Sequence, residues 1–160
     1  PVDFDTAFER YHPAVFRYLH RLTGDADEAD ELAQEAFVRL LEHDVEDEGV
    51  EAWLFTVATN LVRDRARVRK RRRELAEGED LGPDDPEPPD RAYERREEVS
   101  RVRRALDELK PRDREMLLMR EEGFSYAEIA EATGVARTSV GALLARALDR
   151  FASAYRSDDG

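Results

Sequence analysis

The sequence predicts an all-α protein of two small helical domains joined by a flexible, acidic, proline-rich linker, the second domain containing a helix-turn-helix. Three observations carry that reading. Apolar residues recur at steps of three and four in both halves of the chain, the spacing of one helix face. Residues 76–92, AEGEDLGPDDPEPPDRA, hold four prolines, two glycines and seven acids, and they break every periodic pattern, which separates a domain 1–75 from a domain 93–160. Phe124 to Phe151, FSYAEIAEATGVARTSVGALLARALDRF, reads as a short helix, a glycine turn and a second helix.

Taken in order, Phe4, Phe8, Tyr11, Val15, Leu19 and Leu22 define the face of a first amphipathic helix that ends at Gly24. Pro13 falls inside it and predicts a kink or two abutting helices. A second helix begins in DADEADELAQEAFVRLLEH, where Asp25 or Asp27 can cap and acids crowd the first turn. Its buried stripe is Ala29, Leu32, Ala33, Ala36, Phe37, Leu40 and Leu41, which leaves Asp30, Glu31, Gln34, Glu35 and Arg39 outward or at the margin. After an acidic loop over residues 44–51, a third helix starts at Ala52, with Trp53, Leu54, Val57, Ala58 and Leu61 able to pack inward. Its far end is almost purely basic.

Beyond the linker, Tyr93 to Leu109 reads as a helix through Val99, Val102, Leu106 and Leu109. Pro111 opens the next, with Met116, Leu117 and Leu118 inward and Gly123 closing it. In the helix-turn-helix, Ser125 and Glu128 stand at capping-box spacing, and Gly134 suits a left-handed turn. The second helix begins near Thr138 and buries Val140, Leu143, Leu144, Ala147, Leu148 and Phe151. Such a second helix normally enters a DNA major groove, the alternative being an ordinary helical hairpin.

Composition narrows the function. The 160 residues include no cysteine, which excludes disulfides and cysteine-ligated zinc. No apolar run approaches the ~20 residues of a membrane span, and the start lacks the basic-then-apolar order of a signal peptide. A cytoplasmic protein without membrane insertion is expected, processed or trimmed at its start because it lacks an initiator Met. His12, His20 and His43 show no metal-ligand spacing, and there is no phosphate-binding glycine loop. The expectation is therefore a protein that is not an enzyme, with no cofactor, no metal and no catalytic residues.

The net charge of −12 is awkward for a nucleic-acid binder until its distribution is considered. Arg63 to Arg73 holds eight basic residues against one Asp, far more than capping a helix C-terminus needs. A polyanion contact through Arg63, Arg65, Arg67, Arg69, Lys70, Arg71, Arg72 and Arg73 is the better reading, with binding that falls steeply with salt. Asn60 stands just before the run and can reach a base edge.

DADEADELAQEAFVRLLEH followed by WLFTVATNLVRDRARVRKRR resembles the promoter-melting domain of extracytoplasmic-function sigma factors of bacterial RNA polymerase. LDELKPRDREMLLMREEGFSYAEIAEATGV, with the helix after it, resembles their C-terminal promoter-binding domain. The resemblance implies a sigma factor that binds core RNA polymerase and directs promoter opening. Asp30, Leu32, Gln34, Glu35 and Phe37 match the surface that docks on the clamp helices of the largest polymerase subunit. Trp53, Asn60 and the basic run match the segment that reads and opens the −10 element, Asn60 at a position that can line a pocket for a flipped-out base. Ser125, Tyr126, Arg137, Thr138, Ser139, Arg146 and Arg150 fall to the −35 element. Promoter DNA and an anti-sigma factor are the further partners implied.

Some residues depart from the family pattern. The loop before Trp53 lacks a base-gripping aromatic and carries Asp44, Glu46, Asp47 and Glu48. Ala136 replaces a capping Ser, at ~1 kcal/mol, and Gly141 lies inside the recognition helix at a similar cost. These departures point to a weak or narrow −35 contact. They also keep open a sigma-like interaction protein without productive promoter recognition; a simple helix-turn-helix regulator leaves residues 1–75 unexplained.

Overall fold

A computed structural model describes residues 2–76 and 93–158, and among them the chain forms seven α-helices. The linker expected over 76–92 lies, apart from Ala76, outside the described residues.

Helix α1 spans Phe4–Thr23. The Asp3 carboxylate caps it, accepting from the Thr6 amide at 3.2 Å and the Thr6 hydroxyl at 2.5 Å, and these bonds hold its carboxyl below the usual range. The helix runs without interruption through Pro13, in place of the two abutting helices that the proline allowed. Pro13 and Glu9 are exposed, so the Glu9 carbonyl that loses its amide partner lies on the wet side of the helix. Gly24 ends α1 in the left-handed region at φ +74°.

Helix α2, Ala26–Glu42, is capped by Asp25, whose Oδ1 accepts from the amides of Asp27 and Glu28 at 2.9 and 3.2 Å. That settles the choice between the two aspartates. The α2 stripe packs on α1 as the spacing required, with one correction. Leu41 is 64% exposed, because the last turn of α2 carries it past the edge of α1. A short 3-10 turn, Asp47–Gly49, leads into α3, Val50–Leu75, two residues earlier than Ala52. Leu54, Phe55, Ala58, Thr59 and Leu61 are buried, while residues 66–76 are all exposed.

Tyr18 joins α1 to α3. The Thr59 hydroxyl donates to the Phe55 carbonyl at 2.7 Å, so in the 2.7 Å contact with the Tyr18 hydroxyl it must accept. Complete burial pushes the Tyr18 phenol up and keeps it a neutral donor.

In the second half α4 covers Tyr93–Asp107, α5 Pro111–Glu121, α6 Tyr126–Thr133 and α7 Arg137–Ser157. Pro111 opens α5 at the first turn. The capping box forms in full: the Glu128 amide donates to Ser125 Oγ at 3.1 Å and the Ser125 amide to Glu128 Oε1 at 2.9 Å. Gly134 closes α6 at φ +76°, and Ala136 leaves α7 without a side-chain cap. Val99 and Leu148, both expected inside, are exposed.

The two halves share one core. Helix α5 packs on α1, and α6 on α3, with the Phe55 and Phe124 rings 4.6 Å apart between centroids. Arg103 of α4 caps the end of α1, donating to the carbonyls of Arg21 at 2.5 Å and Leu22 at 3.1 Å. Gly24 is favoured there by its left-handed backbone; a Cβ would lie 2.9 Å from Arg103 Nε, the end of a flexible side chain that can shift.

The two helix-turn-helix glycines should respond oppositely to alanine. Gly134→Ala forces a side chain into the left-handed region and should cost about 1 kcal/mol. A Cβ at Gly141 would touch the Tyr126 ring at 3.4 Å, ordinary contact, so Gly141→Ala should stabilise by about 0.5–1 kcal/mol. Urea unfolding of both variants checks the pair; the same sign for both would refute the local geometry.

Candidate nucleic-acid interface

The basic half of α3 divides into faces by helix periodicity. Residues seven and four apart lie on one side, which aligns Trp53, Asn60, Arg67 and Arg71 along a single stripe. Trp53 is half-buried beside His43, with ring centroids 5.5 Å apart, and Asn60 is exposed. Arg67 pairs with Asp64 one turn back. This stripe joins an aromatic ring, an amide and two guanidinium groups on an accessible surface, the set that stacking, base-edge bonding and phosphate contact call for.

The opposite side of α3 faces α2. Arg65 and Arg69, four apart, meet Glu31 and Glu28, three apart on the antiparallel helix: Arg65 Nη1 lies 3.0 Å from Glu31, and Arg69 pairs with the mostly buried Glu28. Arg63 points a third way. Its guanidinium forks onto Glu115 of α5, with Nε 3.0 Å from Oε2 and Nη2 on Oε1. The hydrogen bonds to Glu115 raise the Arg63 pKa further, against the opposing pull of burial. Four of the eight basic residues are thus paired within the molecule, Arg67 only through an exposed pair that leaves it accessible, while Lys70, Arg71, Arg72 and Arg73 have no ion pair among the described residues. Nothing local in the sequence announced the partner of Arg63, because Arg63 and Glu115 are 52 positions apart.

On α2, the five residues expected at a polymerase contact separate by depth. Asp30, Gln34 and Glu35 are exposed, and Gln34 donates to Asp30 at 3.0 Å. Leu32 and Phe37 are only 1% and 2% exposed; they belong to the core and shape this face from beneath. Val38 and Leu41 are exposed in their place, so the accessible surface is acidic with an apolar margin. It borders a groove between α2 and α3 lined by Glu31, Glu35, Val38, Leu61 and Arg65. The exposed Leu41 was legible only as a core residue, since its spacing fits the stripe.

In the helix-turn-helix, Arg137, Thr138, Arg146 and Arg150 are exposed and Ser139 is half-buried. Arg150 lies 3.9 Å from Asp113, a loose pair that leaves its guanidinium available. Ser125 spends its hydroxyl on the capping box. Tyr126 is exposed beneath the Arg120 guanidinium, 5.2 Å from the ring centroid, and crosses α7 at Gly141. The basic content of this surface is thin beside that of α3. No helix among the described residues is long and apolar enough to cross a membrane.

Comparison with known proteins places both halves. Residues 7–73 match the family model for sigma-70 region 2, and residues 100–151 that for sigma-70 region 4. The ECF RNA polymerase sigma factor EcfG of Rhodopseudomonas palustris is 34% identical over 145 residues, covering 88% of this chain and 78% of that protein. SigE of Mycolicibacterium smegmatis, also an ECF RNA polymerase sigma factor, is 31% identical over 137 residues; the match covers 82% of this chain but 53% of that longer protein. The solved sigma factor RpoE of Bartonella quintana, bound to the anti-sigma factor NepR, shares the fold with a TM-score of 0.71 at 23% identity, over 98% of both chains. With residues 7–73 matching region 2, residues 100–151 matching region 4 and a 34% identical ECF sigma factor aligned over 88% of this sequence, the chain belongs to the extracytoplasmic-function sigma factors, the family that directs transcription initiation by RNA polymerase.

Proposed function

We propose that this chain docks on core RNA polymerase through α2, opens promoter DNA with α3 and anchors upstream with α7, acting by binding alone and without catalysis. The observation that carries the reading is the stripe of Trp53, Asn60, Arg67 and Arg71, which combines stacking, base-edge and phosphate contacts along about 27 Å of helix. The exposed acids Asp30, Gln34's partner, and Glu35, with Val38 and Leu41 beside them, suit a partner surface of basic residues with an apolar centre, and the clamp helices of the largest polymerase subunit are the assigned partner.

At the −10 element, α3 contributes in two ways. Lys70, Arg71, Arg72 and Arg73 neutralise phosphates, an attraction independent of sequence and sensitive to salt. Asn60 supplies an amide that both donates and accepts, the requirement for reading a base edge. Extruding a base costs a few kcal/mol, recovered through stacking and edge bonds in the pocket that receives it. Opening is then driven by binding free energy. At the −35 element, Arg137, Thr138, Ser139, Arg146 and Arg150 make a limited set of contacts, with Ser125 and Tyr126 at the margin, so α7 positions the protein and supplies less of the specificity. The cytoplasm is the proposed compartment and an anti-sigma factor the proposed regulatory partner.

The exposed apolar Leu148 and the small Gly141 and Ala142 on α7 favour a second reading, a sigma-like protein that binds polymerase or an anti-sigma factor without initiating. Run-off transcription with core polymerase on a broad promoter library separates the two. Initiation dependent on the chain is expected; polymerase binding with no initiation on any template would contradict the sigma reading. Within that assay, Asn60→Ala should lose about 1–3 kcal/mol of discrimination at one −10 position while polymerase affinity stays unchanged. Equal loss of both would return Asn60 to a structural role.

A further inference from the structure

One face of α7 takes no part in the packing of its domain. Val140, Leu144 and Ala147 are 0%, 6% and 1% exposed and fix the side of the helix that turns inward. Thr138, Ala142, Ala145 and Asp149 follow one another at steps of four, three and four residues, and all four are exposed. At about 100° per residue they fall within ~60° of one another on the opposite side of the helix. Arg146 is also exposed, and its Nε leans back to 3.5 Å from the Ala142 carbonyl oxygen. Leu148 stands about a third of a turn from Ala142, off this face. The outward surface of the first turns of α7, the part of a recognition helix that meets base edges, thus presents two alanine methyls, a threonine and one guanidinium.

We propose that this face reads thymine: Thr138, Ala142 and Ala145 touch the C5-methyl groups of thymines in the −35 element across the major groove. The proposal rests on the assignment of α7 to that element made above and carries it to a particular base. Chemistry narrows what such a face can recognise. In the major groove guanine offers two acceptors, cytosine a donor and adenine one of each, and all three ask for a side chain with a polar end. Thymine adds a methyl group, whose partner is an apolar contact such as alanine or the threonine methyl. An alanine side chain has neither donor nor acceptor, so Ala142 and Ala145 tell bases apart through that methyl. Thr138 brings a further methyl and a hydroxyl that bonds several base edges without strong preference. Methyl contacts need an approach of about 4 Å, which short side chains permit because they let the helix sit deep in the groove. Arg146 is the side chain on this face suited to a guanine, and a guanine beside the thymines is its place. Asp149 ends the face, since its carboxylate repels phosphate. From Thr138 to Arg146 the helix rises about 12 Å, enough for three or four base pairs at ~3.4 Å each. Arg150, to the side, is left to a phosphate contact that positions without reading sequence.

Replacing one thymine at a time by 2′-deoxyuridine removes the C5 methyl and leaves the hydrogen-bonding groups in place. Holoenzyme assembled from core polymerase and the full chain is titrated with a promoter it initiates from, carrying thymine or deoxyuridine at each −35 position in turn. Affinity should fall about threefold to fivefold at one to three of these positions, the change that burial of one methyl carries, and should not fall at thymines between the two elements. Ala142→Gly, Ala145→Gly and Thr138→Ser each delete one methyl from the protein. Each should abolish the preference for thymine over uracil at a single position while the other positions keep theirs. Both templates are measured on one preparation, so a partly misfolded variant still gives a true ratio. A ratio of one at every −35 position, on a promoter whose transcription needs that element, would overturn the thymine reading and leave the assignment of α7 standing. Ratios unmoved by all three variants would overturn it as well, by removing these residues from the contact. Initiation indifferent to a scrambled −35 element would overturn the assignment of α7 and the thymine reading together.

Discussion

The forked ion pair between Arg63 and Glu115, together with the contact between the tilted rings of Phe55 and Phe124, is the constraint on which the arrangement of the molecule depends. Each half alone is a small helical unit rich in charge, with little apolar surface to bury. Region 2 would leave one side of Phe55 wet, and region 4 would leave Phe124 and the flank of α5 uncovered. Joining them turns two thin cores into one, which runs from Tyr18 through Phe55 and Phe124 to Met116 and Met119. Glu115 tolerates burial because Arg63 presents two donors to its two oxygens. A buried carboxylate deprived of that partner would cost several kcal/mol.

The same economy of charge resolves the apparent conflict between a net charge of −12 and a nucleic-acid surface. The acids of α2 do not simply repel DNA. Glu28 and Glu31 pair with Arg69 and Arg65 and hold α3 against α2, so the cations without an ion pair among the described residues are concentrated in Lys70 to Arg73. Local field decides the partner, since charges farther apart than about 10 Å are largely screened from one another. The exposed Asp30 and Glu35 leave the α2 surface acidic beside the basic end of α3.

Much of this was legible in the sequence because helices announce themselves through spacing and caps. The capping box of Ser125 and Glu128, the left-handed turn at Gly134 and the opening of α5 by Pro111 are local events, and each was read from adjacent residues. The stripes of α1 and α2 were legible for the same reason, and the basic run stood out by composition. What failed was the edge of each stripe. Leu41, Val99 and Leu148 fit a helical face, yet the neighbouring element stops short of them, and spacing carries no information about where a neighbour ends. Conversely, Phe55 and Thr59 are buried because α1 and α6 approach α3 from a second side. The pairing of Arg63 with Glu115 was beyond reach, as long-range partners depend on tertiary packing alone.

The claim that region 2 and region 4 form one folded body is tested most directly by a double-mutant cycle on Phe55→Leu and Phe124→Leu, read by denaturant unfolding of the full chain. Leucine keeps each site apolar, and the cavity cost common to each single variant cancels in the cycle, which leaves the contact across the seam. The account predicts a coupling of about 0.5–1.5 kcal/mol between the two rings in a single cooperative transition. Strict additivity, with two independent transitions, would contradict it.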